Sequence, residues 1–459
     1  MLLIDPSCVP PLDHGFKPAV LADHDFMGKV RRFGASVVIG LERNGGELSR
    51  FNLPIYPEDH PDFDENFKIV ERMVKFLLWQ RGGFKLYLGG PKAIASHIRK
   101  EYSERGSRKF DFYFLGEKVY ERDFSVIHCE PDEVPAANES GKHLGRNLNG
   151  YRIGFDLGAS DRKVSAVVDG KTVFSEEVIW EPVKHADPAY HYSEIMAAIR
   201  AASEKMPRVD AIGGSSAGIY IDNRPMVGSI FRGVPPEKFG EIKNLFQKIS
   251  SELGIPLEVL NDGDVTALAG SMAIGEDSVL GIALGSSEAS GYVNAQGCIT
   301  GWLNELAFAP IDYSPDAPVE EWSGDRGCGA SYLSQQCVFR MCKAAGITLP
   351  EGTSDAEKLI FVQDQLLAGH EGAVKIWQSM GIYLGYALAH YADFYEIKHV
   401  LILGRCTSGI GGNLLLEGIK TVYKTEFPEL INKMKIHLPD EKIRRVGQSV
   451  AAASLPIVE

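Results

Sequence analysis

Three stretches place carboxylates or small residues where a chain passes from strand to turn or helix. Asp156 nearly closes the apolar run YRIGFDL and is followed by Gly158, Ala159 and Ser160. A carboxylate at a strand end beside a glycine turn can hold Mg²⁺, directly or through water, while backbone N–H groups face a phosphate. Ser160 adds a hydroxyl donor. The same residues also make a plain hairpin turn. Asn261, Asp262 and Asp264 follow VL at the end of PLEVL and open the small-residue run VTALAGSMAIG. There Asp262 can accept the proton of a hydroxyl attacking a phosphoryl group, with Asn261 positioning that hydroxyl. Alternatively, Asp262 or Asp264 caps a helix. In GSSEASG, Gly285 and Ser286 permit close approach of an anion to the backbone. Glu288 in the same turn opposes tight phosphate contact unless a metal lies between. Gly404, in LILGRCTSGIGG, sits where a strand enters a helix, a geometry common at nucleotide edges and equally common as a plain turn.

The elements that must position these residues follow from periodicity and punctuation. SVVIGLE and LSRFNLPIY flank Asn44-Gly45-Gly46 and predict a hairpin. ENFKIVERMVKFLLWQ has helical spacing and stops at Gly82-Gly83. A strand FKLYL, a helix around AIASHIRKEY and strands at FDFYFLG and FSVIHCE complete a small α/β unit over 1–130. The segment 131–149, PDEVPAANESGKHLGRNLN, reads as a linker. A first lobe follows over 150–275: YRIGFDLG, two strands around Asp169-Gly170, a helix SEIMAAIRAASEKM, a strand VDAIGGSSAG, a helix EKFGEIKNLFQKISSELG, then PLEVLND and its helix. From 276 to 439 the pattern starts again with SVLGIALG, ASGYVNAQG and CITGW. Helices over 329–346, 355–369 and 371–394 and the strand HVLILG come next. The restart implies two related lobes with a cleft between them.

The 459 residues carry 48 Lys+Arg against 61 Asp+Glu, a net charge of −13, and neither half holds a basic arm, which argues against a phosphodiester partner. Seven scattered cysteines, without C-x-x-C, fit reduced thiols. The start, MLLIDPSCVPPLDHGFK, has no signal-peptide pattern, and no run approaches ~18 apolar residues. These features lead us to expect a cytoplasmic protein with no membrane and no nucleic-acid partner.

Taken in order, the motifs over 150–459 resemble the ROK family of bacterial sugar kinases and sugar-responsive repressors, of the actin–hexokinase ATPase superfamily. GFDLGAS is similar to the first phosphate loop, GGSSAG (213–218) to the turn before the sugar site, and LNDGDVTALAG to the Asn-Asp helix start. ALGSSEASG is similar to the second phosphate loop and LGRCTSG to the adenosine loop. VGQSVAAASL resembles a closing helix, here 440–459, that packs back on the first lobe. The resemblance implies a two-lobed actin/hexokinase-like (ribonuclease H-like) fold preceded by the small α/β domain. It makes Asp262 the general base and Asn261, Glu305, Ser216 and Gly218 sugar-site residues. It assigns Asp156, Gly158, Ser160, Gly285, Ser286 and Gly404 to ATP, with Asp156 also toward Mg²⁺. A sugar and a second copy of the chain are the expected partners.

Departures from that pattern bear on function. In GWLNELAFAP, Glu305 is kept but Phe308 stands where the family carries a zinc-binding His. In EWSGDRGCGASYLS only Cys328 survives of the cysteine cluster, Glu321 and Ser323 replacing the others, and Ala330 replaces a second sugar-contacting Glu. A structural zinc needs four N/S ligands, so none is expected. Ser287 and Ala289 replace glycines of the second phosphate loop. The leading reading is an ATP-dependent kinase of a hexose or related carbohydrate. A non-catalytic carbohydrate sensor or scaffold on the same fold is the alternative, and a DNA-binding repressor is disfavoured by the hairpin-led N-terminal pattern. His185 and His191 read as solvent-facing loop residues or, alternatively, as lining a cleft, and Asp161-Arg162-Lys163 as a solvated hairpin tip or, alternatively, as bringing Arg162 or Lys163 toward phosphate. Trp302 and Trp322 read as filling the volume left by zinc or, alternatively, as stacking platforms for a sugar.

Overall fold

The computed structural model describes residues 3–139, 144–438 and 441–458. Residues 140–143 of the expected linker, and residues 440 and 459 of the expected closing helix, lie outside the described residues.

The first unit opens with α1 (Ala19–Val30), which sequence reading had not separated from its Pro-rich surroundings. The Asn44-Gly45-Gly46 turn joins β1 (Ser36–Glu42) to β2 (Leu48–Pro54) as an antiparallel pair with Gly40 opposite Arg50. Then come α2 (Glu65–Arg81), β3 (Lys85–Gly89), α3 (Lys92–Glu101), α4 (Lys109–Tyr113) and β4 (Ser125–Cys129), in a sheet of order β2-β1-β3-β4. The strand expected at FDFYFLG is instead α4 running into a π-helical turn at Phe114–Tyr120. The alternating aromatics suggested a sheet. Tertiary contacts decide otherwise: Asp111 is buried against Lys75, and Phe110 and Phe114, four residues apart, stack on each other at 5.0 Å.

The first lobe has β5 (Tyr151–Leu157), β6 (Asp161–Val168) and β7 (Lys171–Ile179) as the expected meander, then α5 (Pro188–Ser203) and β8 (Ala211–Ser216). A small hairpin, β9 (Ile219–Ile221) with β10 (Arg224–Val227), was not expected. The single helix read at 237–254 is broken into α6 (Phe239–Lys243) and α7 (Leu245–Leu253). β11 (Leu257–Asn261) then leads into α8 (Asp262–Ile274), and the sheet order is β11-β8-β5-β6-β7.

In the second lobe β12 (Val279–Leu284) and β13 (Glu288–Val293) are antiparallel. The third strand expected at CITGW is reduced to one bridge, Val293 with Ile299. Next come α9 (Gln335–Cys342), α10 (Asp355–Leu367), α11 (Glu371–Tyr391), β14 (His399–Leu403), α12 (Gly411–Glu426), α13 (Leu430–Lys433) and β15 (Lys435–His437). The sheet order is β13-β12-β14-β15. The last helix, α14 (Glu441–Ala453), crosses back onto β5 and β8. A Cβ on Gly213 would sit 1.6 Å from the Ala452 carbonyl oxygen, and one on Gly154 1.8 Å from that of Ser449, so bare backbone in both strands is what lets the helix lie there.

The first unit is not walled off. A single hydrophobic core runs from Phe26, Phe76 and Trp79 to Leu284, Tyr383 and Tyr391 of the second lobe. The same core reaches the first lobe at Ile219, with Ile221 and Val227 packed against it, and ion pairs add to that contact: Glu121 pairs with Arg224 at 2.8 Å and Lys243 at 2.7 Å. Among the described residues no helix is long and apolar enough to cross a membrane.

Where α1 meets α11, Asp23 and His390 are buried side by side with little to support a charge on either. Asp23 Oδ2 accepts from the Tyr313 hydroxyl at 3.2 Å and lies 3.7 Å from His390 Nδ1. Burial raises the Asp23 carboxyl to about 8 and lowers the His390 imidazole to about 4, so both are neutral near pH 7. The folded carboxyl titrates above the unfolded one (about 3.9), so stability declines as pH rises through that window. Asp23→Asn is therefore expected to melt higher than the parent at pH 8, with the gap closing toward pH 4. A gap that stays constant across that range in thermal melts would refute this account.

Candidate active site

The Asn-Asp corner is built by a strand end and a helix start. Asn261, not Asp262 or Asp264, is the N-cap of α8: its Oδ1 accepts from the Gly263 N–H at 2.7 Å while its Nδ2 donates to the Gly218 carbonyl at 2.7 Å. Both ends of the amide are thus engaged, and Asn261 ties two loops together besides edging a cavity. Asp262 opens the helix, where the helix dipole favours a carboxylate. Gly263 and Gly291 let the corner press against β13, since a Cβ on Gly291 would lie 2.2 Å from the Gly263 carbonyl oxygen. Burial raises the Asp262 carboxyl above the ordinary carboxylate range.

Asp156 is held from two sides that its own segment does not supply. The parallel register sets Ser215 beside it, and the Ser215 hydroxyl donates to Asp156 Oδ1 at 2.8 Å. Gln448 of α14 donates to Ser215 Oγ at 2.9 Å and reaches Asp156 Oδ1 at 3.3 Å. Across the hairpin Lys163 faces Asp156 and pairs with Asp161 at 2.9 Å. Burial, opposed by the Ser215 bond and Lys163 and reinforced by Asp262, raises the Asp156 carboxyl to about 6. Lys163 therefore belongs to the site electrostatically, whereas the expected solvated tip is wrong for Arg162, which is buried and bonded to Glu194 at 2.9 Å.

Two cavities meet at this corner. One, of about 630 Å³, lies between the lobes and is lined by Asp156, Gly158, Asp262, Thr266, Leu403 and Gln448, among others. The other, of about 250 Å³, is lined on one side by Gly218, Asn261 and Asp264. Asp264 is fixed by the Asn304 amide at 3.0 Å, and burial raises it to about 7. Glu305 is set by its own N–H, which donates to the Trp79 carbonyl of α2 at 2.9 Å. Burial, then the charges of Asp262 and Asp264, raise Glu305 to about 8, which places it within electrostatic reach of the corner.

Other expected site residues fall elsewhere. Ser216 is fully buried and lines neither cavity. The Ser160 hydroxyl is engaged with Asp161 at 3.2 Å on the exposed hairpin. Gly285, Ser286 and Gly404 flank the large cavity without lining it; Gly285 donates to the Ser287 carbonyl and accepts from Gln335 N–H. Glu288 does not face the turn's mouth. It is buried, accepts from the Tyr391 hydroxyl at 3.1 Å, and burial raises it to about 8. His191 is a core residue of α5 bonded to the Pro182 carbonyl at 3.0 Å, not a solvent-facing one.

The segment around Phe308 and Cys328 is filled by aromatic and ionic packing. Phe308 stacks on Trp79 at 4.3 Å, and Cys328 is completely buried, its thiol pushed up by burial. Lys75 pairs with Asp111 at 3.0 Å and Asp325 at 3.3 Å; Arg72 and Arg108 pair with the same Asp325 at 3.1 and 2.5 Å. The segment is thus fastened to α2 and α4 by salt bridges. Trp302 is held by the N-terminal unit as well, with the Arg81 guanidinium 3.3 Å from its ring centroid and its Nε1–H on Glu139 at 2.9 Å. Trp322 is exposed at the edge of the Phe308 cluster. Among the described residues no group of three or more His, Cys, Asp or Glu is placed to hold a metal ion.

A carboxylate at a helix start between two cavities, in the cleft of two sheets closed by a returning helix, defines a two-lobed actin/hexokinase-like fold. Solved structures of that fold are similar over two thirds of this chain. The ROK hexokinase from Thermus thermophilus is 17% identical over 66% of this chain and 97% of its own, with a TM-score of 0.52. A ROK family transcriptional regulator, a homologue of the Escherichia coli MLC protein, is 18% identical over 67% of this chain and 78% of its own, with a TM-score of 0.53. A ROK family protein from Streptococcus pneumoniae, solved with sucrose, is 11% identical over 65% and 96%, with a TM-score of 0.50. These likenesses establish the fold shared by ROK kinases and regulators, and about a third of this chain has no counterpart in them. No protein-family model and no curated protein matches the sequence.

Proposed function

We propose that the protein is an ATP-dependent kinase of a monosaccharide hydroxyl, with Asp262 as general base. The observation that carries this reading is the place of Asp262, on the wall of the interlobe cavity with Asp156 while its neighbours Asn261 and Asp264 line the second cavity. ATP would occupy the larger cavity and the sugar the smaller. Asp262 takes the proton as the acceptor oxygen bonds to the γ-phosphorus, the bond to the β-phosphate oxygen breaks, and ADP leaves. The proton then passes from the carboxyl to solvent. Burial makes this carboxylate more basic than a free one, which suits the task. Asp156, backed by Ser215 and Gln448, would hold Mg²⁺ directly or through water; the ion would supply charge neutralisation at the phosphates. Gly158, Gly285, Ser286 and Gly404 would approach the nucleotide on lobe closure, and Gly218 would bound the sugar, with Glu305 behind the lining of that cavity. The chain's own contribution is alignment of the reacting atoms and exclusion of water, the terms that dominate phosphoryl transfer.

A second reading, a sugar-binding protein without catalysis, is favoured by one observation. The Gly285 N–H is spent on the Ser287 carbonyl, which removes a backbone donor from the second phosphate loop. Calorimetry with ATP–Mg²⁺ in the presence of sugars separates the two. A kinase gives saturable heat with ATP–Mg²⁺ and sugar-dependent ADP release; absence of both, with sugar binding intact, leaves the second reading.

A further inference from the structure

The smaller cavity has a wall that neither lobe supplies. Arg43, Asn44 and Glu47, in and beside the β1–β2 turn, and Tyr120 at the end of the π-helical segment, line it opposite Gly218 and Thr300. The turn is fastened from behind: Arg43 is buried, donating to Ser49 Oγ at 2.6 Å and pairing with Glu139 at 2.8 Å and Glu47 at 3.3 Å. Asn138 braces it through its side chain to the Gly46 carbonyl at 3.0 Å and its backbone to Leu48. It is therefore a fixed wall rather than a loose flap. Glu47 also closes against the second lobe, its Oε2 lying 2.8 Å from where a Cβ on Gly301 would be.

The chemistry of the lining is one-sided. Glu47, Asp222, Glu258 and Asp264 contribute carboxylates, and Arg43 is the one cationic side chain among the lining residues, its Nε, Nη1 and Nη2 donating to Glu47, Ser49 and Glu139 respectively. Two of the lining residues each carry a neutral oxygen, Asn44 Oδ1 and the Thr300 hydroxyl, that is shut from water behind the cavity surface and has no partner. Such atoms are costly to leave unmet and are met by a hydroxyl or ammonium after a small side-chain rotation. A ligand with its own negative charge meets carboxylates in a partly dry space and is repelled.

We propose that the N-terminal unit supplies the acceptor-selecting wall, with Asn44 and Glu47 as specificity-determining residues, and that the cavity takes a monosaccharide free of negative charge, amine-bearing sugars included. The word acceptor rests on the kinase reading; the wall and its charge selection do not. The full chain and the variants Asn44→Ala, Asn44→Ser and Glu47→Gln are to be compared in two assays. One is ADP release with ATP–Mg²⁺ over glucose, mannose, glucosamine, glucuronate and a hexose phosphate. The other is thermal shift with the same sugars and no nucleotide.

Glucose, mannose or glucosamine is expected to bind, and glucuronate and the hexose phosphate are not. Asn44→Ala is expected to raise the sugar KM or Kd on the order of tenfold, leaving kcat and the KM for ATP within about twofold. Glu47→Gln is expected to weaken the exclusion of glucuronate, and Asn44→Ser to recover part of the affinity. Unliganded melting temperatures equal to the parent's show that the variants fold. Parental sugar affinity in every folded variant, preferred binding of the anionic sugars, or no sugar binding at all overturns the wall assignment. Sugar shifts that vanish in Asn44→Ala, without ADP release from the parent, keep the wall and remove the kinase.

Discussion

Asp262→Asn is expected to lower kcat on the order of 10²–10⁴-fold, the contribution of a positioned general base, while sugar binding changes little. The substitution is close to isosteric. Asp262 Oδ1 accepts from the Gly263 N–H at 3.0 Å, a bond an asparagine oxygen keeps, and the N-cap belongs to Asn261. The loss should fall on kcat with the KM for sugar nearly constant, because the interaction removed is made with a proton that moves only in the transition state. Steady-state ADP release and sugar binding measured on one preparation check both halves. Parental turnover in the variant would take Asp262 out of the mechanism.

The second large effect is on stability. Lys75→Met is expected to cost about 3–5 kcal/mol, as breaking a buried ion pair from one side does. Lys75 is 1% exposed and lies between Asp111 and Asp325, both buried. Asp325 keeps Arg72 and Arg108, but Asp111 is left with only the Trp79 indole N–H at 3.0 Å. Burial already lifts the Asp111 carboxyl, so its charge has no means of support once the ammonium is gone. Asp111→Leu added to Lys75→Met is expected to recover a large share, since an apolar pair of similar bulk needs no solvation. Urea midpoints of the parent, both single variants and the double variant form the cycle; a Lys75→Met midpoint equal to the parent's would mean the network contributes nothing. Because Trp79 and Gln80 on the same helix accept from the N–H groups of Glu305 and Asn304, a weakened α2 should also loosen the sugar-side corner.

The legible parts of this molecule were those whose partners are close in sequence. The strand into Asp156, the Asn261–Asp262 helix start and the Asn44-Gly45-Gly46 hairpin each carry their signal within a few residues. What escaped notice needed partners far along the chain. Ser215 reaches Asp156 only because β8 lies parallel to β5, and Gln448 arrives on the last helix. Lys75 looked like one polar residue of an amphipathic helix, and its partners lie 36 and 250 positions away in α4 and the segment before Cys328 (75 to 111 and 75 to 325). The same pairing explains why FDFYFLG, read as a strand from its alternation, folds as a helix. Glu288 was misplaced for a related reason: strand alternation turns it inward to Tyr391, a contact local spacing does not reveal.

Glu121 carries a consequence for motion. The N-terminal unit shares its core mainly with the second lobe, and Glu121 grips Arg224 and Lys243 of the first beside the apolar contact at Ile219. Any hinge swing about the cleft must stretch that electrostatic catch. These side chains are partly solvated, each pair is worth about 0–1 kcal/mol, and dissolved ions screen them. A hinge opening that parts these pairs would accordingly be eased by added salt, through a clasp that lies outside both chambers.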